Sequence, residues 1–155
     1  MAIRVYCIGK TEKGLYSQLL KEYLQRIPKY CSFHWEELQG EKLKGQLNQA
    51  IEKESTAVLK KITAQDFLVL LDENGKEFGS KKFAAWIEEK TVHSNRDLVF
   101  VIGSAFGFSE GLKQRSNYMI SLSKLTFNHQ MVRGIFAEQL YRALNIINGG
   151  NYHHD

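Results

Sequence analysis

The chain has 155 residues, 43% hydrophobic and 25% charged, with a formal net charge of +4 at pH 7. This is the balance of a soluble globular chain with an ordinary core, and no apolar run approaches the roughly 20 residues that span a bilayer. The modest positive charge admits a phosphate-rich partner, but the lack of a dense Lys/Arg block excludes a dedicated non-specific nucleic-acid binder.

Residues 1–10 are strand-like and carry Arg4, with no apolar signal-peptide core. Cys7 and Cys31 show neither CxxC nor Cys/His metal spacing and read as reduced, structural thiols. A cytoplasmic address and no metal are the expectations. Ile3–Ile8, apolar and β-branched, predicts a first strand ending at Gly9-Lys10. Leu15, Leu19, Leu20, Tyr23, Leu24 and Ile27 then recur at helical spacing until Pro28, the only proline, stops them. Phe33–Leu38 predicts a second strand, residues 43–62 a helix, and residues 67–71 a buried strand that ends in a turn at Asp72-Glu73-Asn74-Gly75-Lys76. A helix capped by Ser80 is expected through Lys90, followed by a strand at Leu98–Ile102. Ser109 is placed to cap a short helix with Glu110 in its first turn. A last strand covers 118–122, and Asn128 is placed to cap a final helix reaching about Ile147. Five βα units in one chain predict a single α/β domain over 1–155, with a mostly parallel sheet flanked by helices. The strand order stays open.

Ligands of such sheets bind outside the carboxyl ends of the strands, which singles out two loops. Residues 103–107 leave a buried strand through Gly103, and the glycine offers either a close backbone approach to a ligand or simply a tight turn. Residues 121–127 mix hydroxyls with Leu122, Leu125 and Phe127, which suit either the walls of an adenine site or packing at a strand end. In the final helix Val132, Ile135, Phe136, Leu140, Ala143, Leu144 and Ile147 form an apolar stripe. Arg133, Glu138, Tyr141, Arg142 and Asn145 fall outside that stripe, and Glu138 and Arg142 stand at i,i+4 as an ordinary surface ion pair would.

The motifs FVIGxxxG, QRSNYxxSxSKxTFxHQMxR and EQxYRA, with Gly9-Lys10 before them and Tyr152-His153 after, match one family in order and spacing. The chain resembles the ribosomal RNA large-subunit methyltransferase H family, SPOUT-class enzymes that methylate N3 of a pseudouridine on assembled ribosomes. The resemblance implies a C-terminal deep trefoil knot, a homodimer, and S-adenosylmethionine as donor. By position it puts cofactor contacts on Leu71, Gly103, Leu122, Ser123, Lys124, Leu125, Thr126 and Phe127. The chain departs from the family pattern at Ser104, where a second glycine is usual, and at Asn128 and Asn151, where proline is usual. Catalytic roles toward an imide N–H fall on Arg142 for developing charge, on His129 or His153 for the proton, and on Tyr152 for orienting or stacking the base. Arg133 is expected to contact phosphate of the substrate RNA or a second subunit. Three other readings stay open at this stage: a knotted methyltransferase acting on another RNA such as transfer RNA, a non-catalytic ribosome-binding factor, and a small-molecule nucleotide-binding protein.

Overall fold

A computed structural model describes residues 1–155. Ten regular elements alternate along the chain: β1 (Ile3–Ile8), α1 (Leu15–Leu24), β2 (Phe33–Leu38), α2 (Leu47–Leu59), β3 (Phe67–Glu77), α3 (Ser80–Val92), β4 (Leu98–Ile102), α4 (Glu110–Arg115), β5 (Tyr118–Ser121) and α5 (Met131–Ile147). The strands form one parallel sheet in the order β2-β1-β4-β3-β5. All five residues of β4 are buried, as a central strand covered on both faces requires. Successive side chains go to opposite faces. Leu98, Phe100 and Ile102 join Ile3, Val5 and Val69 under Trp86 of α3 and Phe136 and Leu140 of α5. Val99 and Val101 join Tyr6, Ile8, Leu68 and Leu70 under Val58 of α2 and Leu112 of α4. The result is a three-layer sandwich with α1, α3 and α5 on one side and α2 and α4 on the other.

Several boundaries differ from the sequence expectation for identifiable reasons. Helix α1 stops at Leu24, and Pro28 sits in a separate 3-10 turn at Ile27–Lys29, where its missing N–H costs little. Helix α2 is confined to Leu47–Leu59. Gly79, not Ser80, is the N-cap of α3. Asn128 lies ahead of α5, and its Oδ1 accepts from the amides of Gln130 (2.8 Å) and Met131 (3.4 Å). The largest difference is at β3. The expected turn at 72–76 is a bulge: β3 leaves its pairing with β5 after Leu71 and resumes it at Lys76 opposite Ile120.

At the amino end of the sheet, Asp66 is 4% exposed. It accepts from the Thr63 amide at 2.6 Å and pairs with Arg4 at 2.5 Å. Burial opposes its ionisation, but the Thr63 amide and Arg4 outweigh burial and hold the carboxyl below the ordinary aspartate range. A lowered folded-state pKa gives stability that is present above the unfolded value of about 3.9 and is lost as pH falls through the folded value. Asp66→Asn is therefore expected to cost about 2 kcal/mol at pH 7, with the deficit shrinking as the pH falls through that window. Urea midpoints at pH 7 and pH 3 check this; a deficit that does not change with pH would contradict it.

Candidate active site

Two adjoining clefts open beyond the carboxyl ends of the strands. The first, about 580 Å³, lies over β3, β4 and β5, with Leu71, Ile102 and Ile120 at its floor. Its walls are the loop after β4 (Gly103 to Phe108), the loop after β5 (Leu122 to His129) and the β3 bulge (Asp72, Glu73 and Asn74). A Cβ on Gly103 would lie 3.0 Å from the Phe108 ring, so the close approach of that ring favours glycine there.

The loop after β5 is shaped by its own hydroxyls. Ser121 Oγ donates to the Ser123 carbonyl (2.9 Å), and Ser123 Oγ accepts from the Leu125 amide (2.9 Å). It is also tied to the bulge: Thr126 Oγ1 donates to the Glu73 carboxylate (2.9 Å) and Lys124 Nζ to the Glu73 carbonyl (3.2 Å). Leu71, Gly103, Leu122, Ser123, Leu125, Thr126 and Phe127 all line the first cleft, whereas Lys124 does not. Glu73 has no motif to announce it in the sequence. It holds two walls of the cleft together.

The second cleft, about 780 Å³, lies beyond β1 and β2 and shares Ser104, Ala105, Phe106 and His129 with the first. His129 is exposed at this junction. Arg133 lies beneath the second cleft and is only 1% exposed. Its Nε donates to the His129 carbonyl (3.1 Å), one terminal nitrogen to the Gly9 carbonyl (2.8 Å) and Thr11 Oγ1 (3.0 Å), and the other to the Ile8 carbonyl (2.9 Å). Four of its five N–H groups are thereby occupied within the chain. Through these bonds Arg133, expected to contact phosphate of the substrate RNA or a second subunit, pins the end of β1 to the start of α5.

The remaining candidates gather elsewhere, at the far end of α5. Arg142 pairs with Glu138, lies 4.7 Å from the Tyr152 ring centroid, and donates to His153 Nδ1 at 3.2 Å. Tyr152 donates to Glu138 at 3.1 Å and shares a hydrogen bond with the Tyr23 hydroxyl at 3.1 Å. Burial, then the Tyr23 and Glu138 contacts, push the Tyr152 hydroxyl well above the ordinary tyrosine range. Asn145, expected outside the apolar stripe, is buried; its Oδ1 accepts from the Tyr152 amide (3.0 Å) and its Nδ2 donates to Tyr30 (3.0 Å). Glu138 is more than a surface partner of Arg142, because the same carboxylate also fixes Tyr152. Ten residues of α5 separate Val132 at the first cleft from Arg142, a distance of about 15 Å along the axis.

A parallel sheet with two clefts over its carboxyl ends fits many α/β enzymes, and comparison with known proteins narrows the choice. The family model described as predicted SPOUT methyltransferase matches residues 1–153. The chain belongs to the SPOUT methyltransferase family. Among its relatives in that family, a protein of Christiangramia forsetii named Ribosomal RNA large subunit methyltransferase H is 44% identical, over 99% of each chain. One of the same name from Parabacteroides distasonis is 43% identical over the full length of both. A solved structure of a probable methyltransferase from Bordetella pertussis Tohama I matches with a TM-score of 0.52 at 11% identity, covering 92% of this chain and 95% of that one. That likeness concerns the fold alone.

A SPOUT methyltransferase must seat a methyl donor beside an acceptor. The two clefts meet at Ser104, Phe106 and His129, so occupants of both would touch there. The first cleft combines a glycine-led backbone edge with apolar walls, the surface that suits an amphipathic donor. No group of three or more His, Cys, Asp and Glu side chains is placed to hold a metal ion, and no helix is long and apolar enough to cross a membrane.

Proposed function

We propose that this protein transfers a methyl group from S-adenosylmethionine to N3 of a pseudouridine in large-subunit ribosomal RNA, acting in the cytoplasm on assembled ribosomes as a homodimer. The observation that carries this reading is full-length identity of 44% and 43% to proteins named for ribosomal RNA large-subunit methylation. The first cleft fits the donor by the chemistry of its lining. Leu122, Leu125 and Phe127 offer flat apolar contact to a purine, the loop backbone offers its edges, and Leu71 and Gly103 bound the floor. The trefoil knot belongs to the same proposal; threading of the C-terminal part would hold the loop of residues 121–127 rigid.

When bound, S-adenosylmethionine supplies an activated methyl group on a sulfonium. The chain must then align the acceptor, remove its proton and stabilise charge on the neighbouring carbonyls. His129, exposed where the two clefts meet, is placed to accept the proton. His153 is engaged differently: Arg142 is always a donor, so His153 Nδ1 must accept, and the ring orients the guanidinium. Arg142, held by Glu138 and stacked on Tyr152, is the charge-stabilising group. Tyr152 keeps its proton through the physiological range and acts as a hydrogen-bond donor and stacking surface, not as a base.

The offset of about 15 Å along α5 between Val132 at the first cleft and Arg142 supports a composite site in which one subunit's Arg142 cluster meets the other's cleft. Leu15, Leu19 and Met131, 77%, 40% and 45% exposed, lie on the two helices that would pack together. Joining α1 and α5 of two copies in opposite directions brings each Arg142 end toward the partner's cleft.

The test is transfer of radiolabelled methyl from S-adenosylmethionine to ribosomes lacking the modification, beside naked large-subunit RNA and bulk transfer RNA. Label confined to ribosomes and mapped to a pseudouridine is expected. Label in transfer RNA would replace the substrate, and no label from protein that binds the donor would favour a non-catalytic binding factor.

A further inference from the structure

Helix α2 carries two adjacent polar residues, Glu54 and Ser55, each only 1% exposed. Neither has a part in the methyl-transfer chemistry described above, and burying a carboxylate is costly unless its oxygens are fully engaged. Both of Glu54's are. Its Oε2 accepts from the Ser104 hydroxyl at 2.6 Å, and its Oε1 accepts from the Glu41 amide at 2.9 Å. Ser104 in turn accepts from the Phe106 amide at 3.2 Å, which folds the loop after β4 back on itself. One residue along, Ser55 Oγ accepts from the Ser109 amide at 3.0 Å. Two consecutive side chains of one helix thus hold the two ends of the loop that forms a wall of the first cleft and is shared with the second.

We infer that Glu54 is a positioning residue for methyl-donor binding, acting through the Ser104 hydroxyl to set the loop of residues 103–107, a role that rests on the donor reading of the first cleft. The geometry gives the serine a purpose that a glycine at that position could not fulfil. A glycine would leave Glu54 Oε2 without its donor and the Phe106 amide without its acceptor. Ser104 supplies both, so the loop is set by a charge-assisted hydrogen bond from a rigid helix and not by its own backbone alone. The carboxylate also links this loop through Glu41 to the segment after β2, which borders the second cleft.

The experiment is titration calorimetry of S-adenosylmethionine against the wild type, Ser104→Ala, Ser104→Thr, Glu54→Ala, Glu54→Gln and the double Ser104→Ala/Glu54→Ala. Loss of one charge-assisted hydrogen bond is expected to raise Kd roughly tenfold in Ser104→Ala and in Glu54→Ala. The double variant should bind no worse than the weaker single, since both remove one interaction. Ser104→Thr keeps the hydroxyl and should lie within about threefold of wild type, while Glu54→Gln, which can accept from Glu41 and donate to Ser104 but without the charge, should fall between wild type and Glu54→Ala. A purely structural carboxylate would lower the melting temperature without this pattern in Kd. Ser104→Ala, which removes only a cleft-lining hydroxyl, keeps the proposal falsifiable if Glu54→Ala fails to fold. Wild-type affinity in Ser104→Ala, or penalties that add in the double, would overturn the inference alone. A wild type that binds no donor would overturn the donor reading and the inference with it.

Discussion

Arg142→Ala is expected to lower methyl transfer by about 10²–10³-fold while leaving donor affinity unchanged, because in the proposed reaction the guanidinium lies outside the donor cleft and serves the acceptor. The magnitude is that of removing one pre-aimed donor from a developing negative charge, and here the donor is pre-aimed from three sides. Glu138 holds one edge, the Tyr152 ring lies 4.7 Å away, and His153 accepts at 3.2 Å. The composite site makes a sharper claim. Mixed dimers that combine Arg142→Ala in one subunit with the cleft-blocking Thr126→Trp in the other should recover one working site, up to half the activity of a wild-type dimer. Each homodimer alone should be inactive. Recovery requires that the intact cleft of the first subunit meet the intact Arg142 cluster of the second. Mixed dimers as inactive as their parents would place both halves of the site in one chain, and the separation along α5 would then need another explanation.

The elements that the sequence revealed best are those whose burial is complete. Leu98–Ile102 has no polar residue and becomes the central strand, and the two loops after β4 and β5 were legible because such strands end in abrupt changes of composition. Strand order was not legible, since it depends on long-range packing that leaves no local periodicity. The burial of Arg133 was not legible for a related reason. A charged residue on a helix suggests solvent, yet Arg133 precedes Phe136, Ala137 and Leu140 at helical spacing, on the buried face, and meets carbonyls at the end of β1. Buried carbonyls of a loop cannot be anticipated from side-chain types. The burial of Asn145 was hidden likewise, because its partners, Tyr30 and the Tyr152 amide, are distant or come from the tail. Glu138 and Arg142 were visible as a pair, but the pair gains its purpose only when Tyr152 folds back onto it.

Gly75→Ala is expected to destabilise the protein by about 3 kcal/mol or more and to weaken donor binding at least tenfold. The sequence offers the Asn74-Gly75 pair as a turn, in which glycine would serve by its conformational freedom. In the structure Gly75 has no positive φ. Its role is contact. A Cβ at this position would lie 2.6 Å from Ile120 N, Ile120 C and Met119 C, all backbone atoms of β5. Backbone in the middle of a buried strand cannot rotate away as a side-chain tip can, so β5 or the end of β3 must shift. Either shift breaks the pairing of Lys76 with Ile120 and Glu77 with Ser121, which closes the bulge. The bulge carries Glu73, and Glu73 holds Lys124 and Thr126, so the disturbance passes into the donor-cleft wall. Gly79→Ala is the comparison: nothing lies within 4 Å of its added Cβ and its φ is −74°, so only the loss of a glycine N-cap, no more than about 1 kcal/mol, is expected, with donor affinity unchanged. Urea midpoints and donor calorimetry on the two variants decide the matter. If Gly75→Ala behaves like Gly79→Ala, β5 has room to move, and the cleft wall does not depend on the close approach of these two strands.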